Sequence, residues 1–275
     1  MRPHTMTEKL KIPPFEILVL SCDAFSDIWE INGAFLKQNW KESLRNASLV
    51  TETSEPDFAP PIRIVHTGKQ VYADKVQLAL EEIQSPYVIL LLDDYLLTKR
   101  IDQKEIESVL LEAAENNADY IRFDRFRGEK KKKGSQHLYS MRPLGSRPYQ
   151  VNMEPSLWKT SSLRKMLHGQ KTAWELEVSL TEEAKRCDLR CFSTKKKILP
   201  YLDTIRKGKI LHRAWKTVKQ SPYYHGNREK CPLKHETRLF LISVGKALTP
   251  YPLQKTIKRW LVKRGHRYYS NWEQQ

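Results

Sequence analysis

Hydrophobic residues along this chain fall into two patterns. Short dense runs holding Val and Ile mark strands, and the plainest is Pro86–Leu92, PYVILLL, which carries no charge before Asp93 and Asp94. A run of this kind, opened by a Pro, predicts a strand buried on both faces. FEILVLS at Phe15–Ser21 is a second such strand and ends in Cys22-Asp23. Between and after them the spacing turns helical. Ile28, Ile31, Phe35 and Leu36 predict a helix after the first strand, with Ser26 or Asp27 as its cap. Ala47–Thr51 and Ile62–His66 read as strands, and Val76, Leu80 and Ile83 line one side of a helix over Tyr72–Ile83. Asp102 caps another helix, whose apolar face holds Ile106, Val109, Leu110 and Ala113, and DYIRF at Asp119–Phe123 is a further strand.

The first half therefore reads β-α-β-β-α-β-α-β. That alternation predicts an α/β fold, Rossmann-like, with a mostly parallel sheet flanked by helices. Further on, Tyr149–Trp158 looks extended, a short helix begins at Ser161-Ser162, and Gly169–Glu177 leads into a helix that runs to Ala184. Arg190–Thr194 and Lys197–Pro200 suit edge strands, and the charged loop RGEKKKKGS over 127–135 is expected to be mobile. Three regions follow: a flexible lead over 1–11, an α/β domain over 12–200, and a basic, aromatic-rich extension over 201–275 with helical character.

Composition changes the picture through charge. The chain of 275 residues has 48 Lys and Arg against 32 Asp and Glu, a net charge of +16. Residues 201–275 hold 17 of the basic residues and 4 of the acidic ones. Such a basic third points to a polyanion, either nucleic acid or an anionic membrane surface. No apolar run is long enough to span a bilayer, and no signal peptide is visible in MRPHTMTEKLKIPPF. The four cysteines form no CxxC pair and read as free thiols in a reducing cytosol. No GxGxxG or Walker loop occurs.

Chemistry gathers at predicted strand ends. In open α/β sheets ligands sit outside the carboxyl ends of the strands. Asp93 and Asp94 are adjacent carboxylates there, and a hard cation such as Mg²⁺ or Mn²⁺ relieves their repulsion; the plainer alternative is that they end the strand and cap a turn. Asp23 can accept hydrogen bonds from a base or ribose, with Cys22 packing beside it. His66 ends the third strand next to Gly68, which permits close approach of a ligand, although the plainer reading is an ordinary strand-end His. Glu175 and Glu177, in AWELE, can act as a base or simply favour a helix N-terminus. Trp174 beside them offers an aromatic face on which a ligand ring can stack. His212 can supply a late metal or phosphate contact, and Lys207, Lys209 and Arg213 can meet phosphate or form a solvated basic face.

SCDAFSDIW, VILLLDDY with its following Asp102 helix, DYIRF, SLWKTSSL, AWELE and YLDTIRKGK stand in an order that spans roughly residues 15–213. In this conjunction the chain resembles bacterial glycosyltransferases of the GT-A fold, of the kind found in capsule and lipopolysaccharide gene clusters. The resemblance implies a nucleotide-sugar donor, a glycan or lipid-linked acceptor, and a carboxylate motif gripping Mn²⁺ or Mg²⁺ at the donor diphosphate. Such enzymes carry D-x-D where this chain has DDY. The resemblance also singles out Glu177 as the base of an inverting transfer. Nucleic-acid binding, or a metal-dependent nuclease, is the competing reading of the basic third.

At the C-terminus Leu253, Ile257, Trp260 and Leu261 share one helical face among Lys255, Lys258, Arg259, Lys263 and Arg264, with Tyr268, Tyr269 and Trp272 beyond. Pro250 and Pro252 start this helix and Gly265 ends it. Its apolar face either lies on an anionic membrane, placing the protein peripherally on the inner face of the cytoplasmic membrane, or closes down on the catalytic domain.

Overall fold

The computed structural model describes residues 11–264 except 59–60, 127–128, 148, 170 and 250. Most of the proposed lead, the Gly265 stop, and Tyr268, Tyr269 and Trp272 lie outside the described residues. The side chains of Trp174, Lys255, Lys258 and Lys263 do too.

The chain runs β1 (Phe15–Leu20), a 3-10 segment (Asp23–Ile28), α1 (Trp29–Asn39), β2 (Ala47–Thr51), β3 (Arg63–His66), α2 (Tyr72–Glu81) and β4 (Tyr87–Leu92). It continues through β5 (Tyr95–Leu97), α3 (Gln103–Glu115), β6 (Tyr120–Arg122), β7 (Lys130–Lys131), β8 (Leu138–Ser140), β9 (Ser156–Lys159), α4 (Thr160–Met166) and α5 (Ala173–Arg186). Last come β10 (Cys191–Thr194), β11 (Tyr201–Asp203), β12 (Ile205–Arg206), β13 (Lys209–Ile210), α6 (His212–Lys219), α7 (Leu233–Leu248) and α8 (Tyr251–Lys263).

Nine strands form one sheet in the order β3-β2-β1-β4-β9-β6-β10-β8-β7. β1, β2, β3 and β4 run parallel, as do β6 and β10. β9 enters antiparallel between β4 and β6, and β8 and β7 close the far side antiparallel. The α/β class and the flanking helices are as the pattern predicts, and the sheet is mixed, in the Rossmann-like and GT-A-like manner. β9 comes from the stretch read only as extended: Pro155 ends an irregular segment and SLWK then pairs on both edges. β10 is interior rather than an edge, because β8 covers it. Two lysines of the charged loop form the edge strand β7, where exposed Lys discourages further strand pairing. Lys197–Pro200 forms no strand, and the chain instead pairs at β11 with β5.

The central strands are buried on both faces because their side chains alternate between two cores. Ile17, Val19, Ile89 and Leu91 face a cluster shared with α1 and α3. Leu18, Leu20, Val88 and Leu90 face another shared with α2, α4 and α5. A third cluster joins Ile28, Ile31 and Leu96 to Ile205, Ile210, Leu211, Ala214, Val218 and Cys231. Through it, residues 205–231 of the basic third pack directly on the front of α1 and on β5.

Topology places the functional edge. After β1 the chain steps outward to β2 and β3, then returns to β4 on the other side of β1. This reversal opens a crevice outside the carboxyl ends of β1 and β4, where open α/β sheets bind ligands.

Candidate active site

Leu20 and Leu92 are paired at the ends of β1 and β4, so Ser21 and Asp93 meet at that crevice. The Asp93 backbone N–H donates to Leu20 O (3.2 Å), and the Ser21 hydroxyl donates to its carboxylate. Trp29 Nε1 donates to Ser21 Oγ at 2.6 Å, and Asn32 Nδ2 to Asp93 O at 2.8 Å. Asp93 is thus buried and held in place by α1 and the strand-end serine. Asp94 is pinned through its backbone: its carbonyl accepts from Thr204 N (3.0 Å) and Thr204 Oγ1 (2.7 Å). Its carboxylate, among the described residues, has no side-chain donor and bonds its own backbone N–H. Burial raises the pKa of both acids, and the negative charges of Asp93 and Asp203 raise Asp94 further.

Glu177 lies on α5, which packs on the opposite face of the sheet from α1. α5 opens with a capping box, in which Thr172 Oγ1 accepts from Glu175 N and Glu175 Oε2 accepts from Thr172 N at 2.9 Å. Glu175 is thereby exposed and occupied as a cap, and its pKa is lowered by those Thr172 bonds. One half-turn on, Glu177 accepts a hydrogen bond from the Met153 backbone, and its pKa is pushed up to about 7 by burial and then by the charge of Glu154. The partly buried Tyr72, at the start of α2, lies within electrostatic reach of Glu177, Asp93 and Asp94 together; loss of water and those three charges raise its phenol well above the ordinary range.

Around these acids lie residues to which the sequence assigns no individual role. Glu154 accepts from Arg122 Nη2 (3.1 Å) and Asn152 Nδ2 (3.0 Å). Asp203, opposite Tyr95 in the β11–β5 pair, accepts from Arg213 at 2.9 Å. The Tyr95 and Tyr201 rings stack at 4.1 Å and 5°, with Lys197 Nζ 3.2 Å over Tyr201. Arg228 approaches Asp93 and Asp94 closely enough to lower both pKa values, although burial outweighs it. Its guanidinium is held by Asp27 (2.6 and 2.8 Å) and by Ala24 O (2.6 Å).

Other predicted residues are placed as anchors. The Asp23 carboxylate accepts from the backbone of Glu52 (3.0 Å), Thr53 (3.1 Å) and Ser54 (3.1 Å) and from Thr53 Oγ1 (2.9 Å). Although burial works the other way, these bonds from the 52–54 loop hold it well below the usual carboxylate range. Cys22 is half-buried, and its thiol pKa is raised by burial and then by Asp93. His66 ends β3 as expected, joined to Thr51 Oγ1 (2.8 Å) and Glu55 (2.7 Å). Gly68 has φ +69, and an added Cβ would meet nothing nearer than 3.9 Å, so backbone conformation is what requires glycine there. Trp174 lies in the first turn of α5. Lys209 pairs with Glu229 at 2.5 Å on the exposed β12–β13 side. His212 is exposed at the start of α6, where its backbone N–H meets Glu236. Lys75, which no sequence pattern marks, is buried at the strand ends between Glu52 (2.8 Å) and Ser21 O (3.3 Å).

Asp93, Asp94 and Glu177 thus all act on Tyr72, whereas Glu175 is engaged as a helix cap, Lys209 pairs with Glu229, and His212 is exposed. An open groove of about 410 Å³ lies elsewhere, between α1 and α6, and none of its lining residues is a carboxylate.

Among the described residues no group of three His, Cys, Asp or Glu side chains is arranged as a metal cage. Mg²⁺ and Mn²⁺ suit a sparser set, since one or two carboxylates can hold the ion together with substrate phosphates. The Asp94 carboxylate, half-buried beside two other negative charges and, among the described residues, without a side-chain donor, fits that demand.

No known protein family matches the sequence, and no curated protein matches it. Solved structures of similar chain path exist at low identity. The mannosyltransferase PcManGT of Pyrobaculum calidifontis, solved with GDP-Man and Mn²⁺, is 12% identical with a TM-score of 0.46, the match covering 95% of this chain and 83% of that one. TarS of S. aureus is 12% identical with a TM-score of 0.48, covering 70% and 37%. The bifunctional IspDF of Campylobacter jejuni is 12% identical with a TM-score of 0.42, covering 69% and 52%. The chain thus spans about half or less of the length of the last two.

Proposed function

We propose that this protein is a glycosyltransferase that moves a sugar from a nucleotide-sugar donor to a hydroxyl of a glycan or lipid-linked acceptor, with inversion at the anomeric carbon. One observation carries the reading: Glu177, a half-buried carboxylate whose pKa is pushed up to about 7, and the Asp93–Asp94 pair at the end of β4 all lie within electrostatic reach of the Tyr72 phenol. General-base catalysis works best when the base titrates near the working pH. In this reading Glu177 takes the proton of the acceptor hydroxyl while that oxygen attacks the anomeric carbon. The bond from that carbon to the diphosphate oxygen breaks on the opposite face, and the nucleoside diphosphate leaves with the electron pair. Asp94 and Asp93 would hold Mg²⁺ or Mn²⁺, which as a Lewis acid supplies stabilisation of the leaving diphosphate. Met153 N–H and Glu154 set the basicity of Glu177. The Tyr95–Tyr201 stack and the carboxylates of Glu154 and Asp203 suit a polyol, as aromatic faces and hydroxyl-accepting oxygens together. The catalytic unit so proposed takes in Asp203, Arg213 and Arg228, beyond residue 200.

The nucleic-acid reading gains little here. Arg122, Arg213 and Arg228, three of the cations around the carboxylates, are each paired with an acid. A phosphate backbone would meet Asp94, Glu154 and Glu177.

Thermal shift with a panel of nucleotide-sugars, with and without Mn²⁺, tests the proposal. A ligand at one hundred times its Kd stabilises by about 2.7 kcal/mol. For a chain of this size that raises Tm by roughly 5–10 °C. At least one nucleotide-sugar should do so with Mn²⁺ present, and Asp94→Asn should abolish the shift. If none of the panel acts in either condition, the reading is wrong.

A further inference from the structure

Among the described residues, most of the exposed large hydrophobic side chains lie on the two C-terminal helices. On α7, Leu233, Phe240 and Leu241 are 59%, 66% and 63% exposed. These positions, with the exposed Val244, fall at i, i+7, i+8 and i+11, one stripe of the helix. On α8, Leu253, Ile257 and Trp260 are 52%, 43% and 49% exposed. The face predicted for α8 therefore exists, it does not close on the α/β domain, and α7 doubles it. Exposed apolar area of this kind marks an interaction surface.

Charge selects the partner. Residues 233–264 hold eight Lys and Arg and one acid, Glu236, whose carboxylate is taken by the His212 backbone N–H. Lys234, Arg238, Arg259 and Arg264 are exposed. A second copy of this unit would set cations against cations. A nucleic-acid backbone would satisfy the cations and leave the aliphatic face in water. An anionic lipid surface satisfies both, since apolar side chains enter the acyl boundary while Lys and Arg meet the headgroups. Arg264 lies over the Trp260 ring at 3.8 Å, a pairing of aromatic and cation suited to headgroup depth. Neither helix crosses: among the described residues no helix is long and apolar enough to do so. α7, with 16 residues, reaches only about 24 Å at 1.5 Å per residue.

We propose that α7 and α8 form a monotopic docking surface that lies on an anionic bilayer. The proposal does not depend on the reaction, because vesicle binding and nucleotide-sugar binding are separate measurements. The full chain should co-sediment with vesicles of phosphatidylcholine and phosphatidylglycerol at about 0.1 M salt. Binding should fall at least tenfold at about 0.5 M salt, and vesicles of phosphatidylcholine alone should not retain the protein. The double variant Phe240→Ser with Leu241→Ser should lose at least tenfold in binding with its Tm unchanged. Leu253→Ser with Trp260→Ser does the same on α8 and serves if the first variant is less stable. Failure of the full chain to bind the anionic vesicles, or undiminished binding of both variants, overturns the proposal. So does light scattering that shows a dimer dissolved by either variant, since the occupant is then a second copy.

Discussion

Glu177 is the residue on which the proposed chemistry turns. Burial and the neighbouring Glu154 push its pKa up to about 7. A base must be ionised to accept a proton, so turnover should rise as pH increases through about 7 and level off above it. Glu177→Gln keeps the shape and the Met153 hydrogen bond and removes the basicity. It should lower turnover by about 10²–10⁴-fold, with donor affinity nearly unchanged and the rise through pH 7 abolished. Glu175→Gln should leave that profile alone and largely keep the helix cap, since Gln also serves at this position of a capping box. A crippled Glu175 variant with an active Glu177 variant would reverse the assignment. The sequence offered both acids of AWELE on equal chemical terms; the resemblance to GT-A enzymes preferred Glu177, and the capping box explains what Glu175 does. Tyr72, Glu154 and Asp203 were not legible, because each stands in a different segment and no spacing rule links it to Asp94. Only the pairing of β5 with β11 and the entry of β9 beside β4 draw them in.

At the scale of elements, the strand and helix starts of the first half read well because each has its own local signal. β2 spans the residues its apolar run predicts, and Asp102 caps α3 by accepting from Lys104 N at 3.0 Å. β5, β9 and β11 are three or four residues long, too short for periodicity to register, and they owe their form to partners across the sheets. The same holds for the segment that follows β13. Tyr224 and Arg228 fold back on Asp27, and Gly226 lets them do so: a Cβ there would lie 2.7 Å from Tyr224 Oη and 2.8 Å from Asp27 Cβ. Gly226→Ala must push Asp27 or Tyr224 aside, and overpacking of this kind costs about 1–3 kcal/mol. Its Tm should fall by several degrees, at about 2–4 °C per kcal/mol. Because Arg228 also acts electrostatically on Asp93 and Asp94, donor affinity should weaken as well. Asp27→Ala should reproduce both effects, and a Gly226→Ala protein with unchanged melting and donor binding would show that the lock carries no weight.

At the scale of the whole molecule, the site makes the fold sensitive to pH in a direction opposite to that of most acid-rich proteins. Asp93, Asp94 and Glu177 all have pKa values raised by burial. The unfolded chain releases these protons near the ordinary carboxylate values, around pH 4, whereas the native state keeps them to higher pH. Between those limits the native state binds more protons than the unfolded one, so stability falls as pH rises. Their contribution is therefore fully present below about pH 4 and is lost as pH climbs through about 7. Asp23, with its lowered pKa, works the other way only below pH 4, outside the range of interest. In metal-free buffer Tm should decline from pH 5.5 to pH 8.5, and Asp94→Asn, which buries no charge, should decline less. A divalent cation at Asp94 and Asp93 reverses the sign, since it binds the ionised carboxylates and competes with protons. Added Mg²⁺ should thus raise Tm at pH 8.5 more than at pH 5.5, and should not do so in Asp94→Asn. Equal Mg²⁺ effects on the two proteins at both pH values would separate the buried acids from metal binding and leave Glu177 as the functional carboxylate of the crevice.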